Sequence, residues 1–128
     1  MSHRVVEPGV VEVISESGEE MRPQRQAALR AVLDEQLKAG PVVLAFCVWK
    51  VVVVDPSVPA YWLQVTRRLA PRLCGLAIAS PSMGVRAAAR GFSVATVLRQ
   101  VELDVRAFAR EDEALDWAKA RRRAQAGR

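Results

Sequence analysis

Apolar residues along this chain repeat in two rhythms, one of period two and one of helical spacing. Residues 4–16, RVVEPGVVEVISE, predict two short strands joined at Glu7-Pro8-Gly9, where proline presets φ and glycine supplies the positive φ of a tight turn. Val11, Val13 and Ser15 fall on one face and Val10, Glu12 and Ile14 on the other, so the pattern alone does not say which face is inward. Ser15 to Glu20 is a polar connection. From Pro23 to Ala39 the spacing becomes helical, with Leu29, Val32, Leu33 and Leu37 in a buried stripe and Arg25, Arg30, Asp34 and Lys38 facing water. Pro23 suits a first helical turn, Glu19 and Glu20 stand just ahead of it, and Gly40-Pro41 stops the helix.

A nearly unbroken apolar run from Val42 to Val54, interrupted only by Lys50, follows. It predicts strands at Val42–Phe46 and Val51–Val54, buried on both faces and parallel to their neighbours, with Lys50 at the turn between them. The chain then passes through Asp55-Pro56-Ser57-Val58-Pro59 into a helix ending at Ala70-Pro71. Pro59 fits as its first helical residue with Val58 or Ser57 at the cap, and Val58, Trp62, Val65 and Leu69 form its core stripe. Residues 75–79, GLAIA, predict a short buried strand. Ser80-Pro81-Ser82 restarts a helix with a capping serine, and Val85, Ala88 and Ala89 point inward. Residues 91–100 either continue that helix past Gly91 or begin another. Val101, Leu103, Val105, Ala107 and Ala109 alternate with other residues as a half-buried strand does. The last helix, about 111–123, has Glu111, Asp112 and Glu113 in its first turn and arginines in its last, both matched to the helix dipole. The order is that of an α/β protein with a mixed central sheet opened by a hairpin and about four helices.

Composition narrows the picture. At 128 residues, 51% hydrophobic and 26% charged, the chain has the make-up of one globular domain, read as residues 1–118 with a basic helix end and tail at 119–128. The net charge of +5 is concentrated in that tail, whose expected role is to solvate and cap a helix. With three Trp, one Tyr and three Phe, none interleaved with the basic residues, nucleic-acid binding is not expected. Cys47 and Cys74 both lie in apolar segments and read as buried free thiols in a cytoplasmic protein. The one histidine, His3, is terminal, so no metal site, cofactor or histidine-dependent triad is expected. The first residues lack the apolar core of a secretory signal, and Val42–Val54 is shorter than the roughly 20 residues that span a bilayer, so no membrane association is expected. There is no Gly-rich phosphate loop, catalytic carboxylate pair or nucleophile–base pair, which argues against an enzyme.

A strand that feeds a polar turn and a helix N-terminus is where α/β proteins commonly hold anions and reactive hydroxyls, and Ser57 sits in such a turn. Gly18-Glu19 before the first helix, Val42-Val43-Leu44 as a central strand, the Val54-Asp55-Pro56-Ser57 turn, Leu76-Ala77-Ile78-Ala79-Ser80-Pro81-Ser82 with Val85-Arg86, and Glu113-Ala114-Leu115 occur in an order that resembles a STAS domain. That is the fold of sulfate-transporter tails and of bacterial anti-sigma-factor antagonists. The turn stands where the family has Asp-Ser-Ser-Gly, with Pro56 at the first serine, Ser57 at the second and Val58 at the glycine.

The resemblance implies a signalling protein in transcription regulation that binds an anti-sigma factor or serine kinase, with Ser57 as the phosphorylated switch. Asp55, Pro56, Ser57, Val58, Tyr61 and Ser82 are the implied partner-binding residues. It leaves open a second function, a non-phosphorylated STAS scaffold or oligomerising module in which Ser57 is a helix cap.

Overall fold

The computed structural model describes residues 2–15, 27–50 and 56–126. Its elements run β1 (Ser2–Glu7), β2 (Val10–Ser15), α1 (Ala27–Ala39), β3 (Val42–Val48), α2 (Ser57–Leu69), β4 (Leu73–Ala79), α3 (Met83–Leu98), β5 (Asp104–Phe108) and α4 (Glu111–Ala126). The sheet is five-stranded in the order β1-β2-β3-β4-β5, with β1 antiparallel to β2 and the other pairs parallel. This is the expected α/β layout, with a mixed sheet opened by a hairpin and four helices.

Strand order that follows chain order has a geometric consequence. Parallel crossovers are right-handed, so successive crossovers that all step in one direction place their helices on the same side of the sheet. The contacts agree: Leu29, Leu33 and Leu37 of α1, Trp62 and Val65 of α2, and Val85 and Phe92 of α3 share one core with Val11, Val13, Val42, Leu44, Phe46 and Leu76. The opposite face would be bare without α4. Ala114 and Ala118 of that helix are fully buried against Ala45, Cys47, Ala77, Ala79, Val10, Val43 and Cys74. Residues on this face are mostly small, which suits cover by a single helix. Both faces of β2 and β3 are therefore buried, which settles the face of the first hairpin left open by its pattern.

Several boundaries differ from the pattern-based reading. Strand β3 runs through to Val48, and Trp49 donates its amide to Ser15 O at 3.1 Å; the expected strand at Val51–Val54 lies outside the described residues, as does the start of the first helix at Pro23. Lys50 is exposed in a bend. Helix α2 begins at Ser57, not Pro59, because Pro56 already has helical φ and ψ of −58° and −21°, and Pro59 is accommodated within the first turn. Helix α3 continues straight through Gly91 to Leu98 and stops where Gln100 takes a φ of 56°. The final strand is shorter than its alternation, since Val101–Leu103 form the connection after α3.

The arginines of the last helix are not simply a solvated tail. Arg121 donates from Nε to Cys74 O at 3.4 Å and lies 3.8 Å from Asp104. Arg122 packs over Gly9, and Arg123 reaches Glu7 at 3.6 Å. They join the C-terminus of α4 to the amino ends of the strands. Among the described residues, no helix is long and apolar enough to cross a membrane.

Candidate functional site

All the parallel strands end at one edge of the sheet, and α2, α3 and α4 start there. Ligand and partner sites of open α/β sheets collect at this carboxyl edge, where loops are free of the packing that fixes the strands. The edge holds the predicted site. Pro56 and Ser57 are exposed at the start of α2, Val58 next to them and Tyr61 one turn further in are half-buried, and Asp55 lies outside the described residues. Ser82 opens α3, which follows the strand adjacent to β3.

These residues are held in different ways. Trp62 fixes α2: its indole is buried edge-on against Phe46 of β3, with centroids 4.9 Å apart, and Tyr61 meets it at 5.4 Å. Val58 and Tyr61 both pack on the core, so each offers a partner only part of its surface. Pro56 occupies the cap position and supplies no side-chain hydrogen bond to the first turn. Ser82, by contrast, is a working cap. Its Oγ accepts from Val85 N at 3.3 Å, its amide donates to Ser80 Oγ at 3.1 Å, and Arg86 Nη1 donates to Ser80 O at 3.0 Å. The two predicted serines thus reach the same edge, Ser57 exposed at the start of α2 and Ser82 capping α3.

A polar cluster that sequence reasoning did not single out lies under α4. Glu12 is fully buried on β2, and its Oε1 accepts from Nε of Arg4 on β1 at 2.7 Å. Cys47 Sγ on β3 lies 3.6 Å from Glu12 Oε2, and Glu111 in the first turn of α4 brings its carboxyl close to both from the helix side. The hairpin carried the signal, because a turn at Pro8-Gly9 puts Arg4 opposite Glu12 in the strand register. Donor atoms of Glu12, Cys47 and Glu111 fall within 4.8 Å of one another, a metal-compatible grouping built without histidine. Burial, then the charges of the neighbouring Glu12 and Glu111, push the Cys47 thiol up to about 12. The same shift leaves Cys47 unreactive as a nucleophile. Both cysteines are free and buried, as expected.

Burial, then the hydrogen bond and charge of Glu12, raise the carboxyl of Glu111, with Arg4 opposing. A carboxyl raised in the folded state contributes stability below the ordinary carboxylate range and loses it as pH rises through the folded value. Glu111→Gln should therefore gain stability relative to wild type between about pH 4 and pH 7.5. Urea denaturation at both pH values measures the gap, and a constant gap would show Glu111 titrating normally.

A cleft of about 410 Å³ at the amino edge, lined by Cys74, Glu102, Asp104, Arg121 and Gln125, is open and distant in the fold from the helix starts. Its cation, Arg121, is already engaged by Cys74 O and Asp104. Comparison with protein-family models, curated proteins and solved structures returned no match for this chain.

Proposed function

We propose that the chain is a STAS-like signalling module, resembling anti-sigma-factor antagonists, that binds an anti-sigma factor or serine kinase through the turn and first helical turn around Ser57. The observation that carries this reading is the exposure of Pro56 and Ser57 at the start of a helix that Trp62 locks to the central strand. A rigid helix presenting an exposed serine at its first position gives a partner a fixed surface to read. It also gives a kinase a hydroxyl beside backbone donors that favour an anion. Phosphorylation there would place a dianion in the partner's footprint and release it by charge and desolvation. A cytoplasmic setting belongs with this reading.

The test is binding of an anti-sigma-factor serine kinase to wild type, Ser57→Ala and Ser57→Asp. Affinity should fall tenfold or more for Ser57→Asp, about 1.4 kcal/mol, and stay within about threefold for Ser57→Ala. Incubation with kinase and ATP should add one phosphoryl group at Ser57 by mass spectrometry. A second reading, a non-switching scaffold, draws support from Pro56 and Pro59, which stiffen the turn a kinase must seat. It predicts a stable complex or oligomer indifferent to Ser57→Asp and no modification.

A further inference from the structure

Helix α3 is amphipathic in the wrong sense for a surface helix. Val85, Ala89, Phe92 and Thr96 are its buried residues. The opposite arc should be polar. Instead Met83, Val94, Val97 and Leu98 are 77%, 59%, 73% and 77% exposed, with Arg90 the charged residue among them. A helix that is apolar on both sides is normally covered on both, and a contiguous exposed apolar patch marks an interaction surface.

Two further features describe what would cover it. Between Pro56 and Val101 the sequence has six arginines, at 67, 68, 72, 86, 90 and 99, and no lysine, aspartate or glutamate. Helix α2 packs beside α3, so this part of the helical layer is uniformly cationic. Gly91 is the second feature. A Cβ built there meets nothing within 4 Å, so the chain's own packing does not require glycine, although glycine inside a helix costs about 1 kcal/mol relative to alanine. A small residue on an exposed helix face lets an outside backbone approach closely.

We propose that the outer face of α3 is a docking surface for an acidic amphipathic helix of a partner protein, with apolar side chains on Val94, Val97 and Leu98 and carboxylates on Arg90 and Arg99. Guanidinium groups pair carboxylates in bidentate fashion, which suits the all-arginine composition. A second copy of this chain fits poorly, because two such faces would bring arginines together without an acid on either. Nucleic acid would leave the aliphatic residues unused, and no exposed aromatic is present on α3 for stacking. The surface does not include Ser57, and the proposal stands or falls separately from the switch.

The experiment titrates the full chain with a synthetic Leu/Glu amphipathic helix, using a Leu/Lys version of the same peptide as control. The acidic peptide should bind with amide shifts centred on residues 83–99 and weaken as salt rises. Val94→Glu with Leu98→Glu should reduce affinity tenfold or more. Gly91→Ala should weaken binding while raising the melting temperature, which separates docking from folding. Ser57→Asp should leave peptide binding unchanged. Equal binding of the two peptides, or binding insensitive to the Val94 and Leu98 changes, would overturn the proposal. So would binding to phosphatidylglycerol vesicles or duplex DNA without peptide binding, or a dimer in sedimentation that Leu98→Glu dissolves.

Discussion

Trp62→Ala is expected to lower folding stability by about 3–5 kcal/mol, a large share of the roughly 5–15 kcal/mol available to a domain of this kind. Trp62 is 3% exposed and joins α2 to β3 through Phe46, so its removal leaves a cavity between helix and sheet. Urea denaturation followed by circular dichroism measures the loss. Trp62→Phe should cost clearly less. It keeps an aromatic against Phe46 and deletes an indole Nε1 that is buried with no hydrogen-bond partner. The helix carrying Ser57 is oriented by this contact, so any folded fraction of Trp62→Ala should also bind a partner more weakly than Trp62→Phe.

Gly9→Ala is the second large effect. Gly9 has a φ of +84°, and the left-handed region costs about 1–2 kcal/mol for a residue with a Cβ. The added methyl would also overlap the side chain of Arg122, which packs across this turn. Gly9 additionally donates its amide to Gln36 Oε1 at 3.2 Å and accepts from Val43 N at 2.8 Å, so the turn ties β2 to α1 and β3 and cannot shift freely. Arg122→Ala in the same chain should recover the steric part of the loss and leave the backbone part, giving a coupling above about 0.5 kcal/mol in a double-mutant cycle. Strict additivity would mean that Arg122 is solvated, as a basic tail would be.

Most of the fold is legible in the sequence because hydrophobic spacing and turn residues agree. Leu29, Leu33 and Leu37 mark α1, Trp62 and Val65 mark α2, and Pro8-Gly9 marks the hairpin. The alternation of large and small residues in Leu44-Ala45-Phe46-Cys47 and Leu76-Ala77-Ile78-Ala79 also records that three helices cover one face and one helix the other. It becomes readable only once strand order is known. Periodicity left two choices open at α3, continuation past Gly91 or a new helix; the helix continues because a mid-helix glycine weakens it without ending it. The site is less legible than the fold. Ser57 and Ser82 are found by turn chemistry, but that Pro56 and not a serine takes the cap position of α2 depends on backbone angles that no residue type dictates. The pattern leaves the face of Glu12 undecided, since nothing local says that α4 returns to bury it.

The most direct measurement of the central claim is amide chemical-shift mapping of the chain with an anti-sigma-factor serine kinase, for wild type and Ser57→Asp. Binding at the carboxyl edge predicts perturbations at Ser57–Tyr61 and around Ser82, lost in Ser57→Asp. Perturbations confined to the β1 edge or to α4, unchanged by Ser57→Asp, would contradict it.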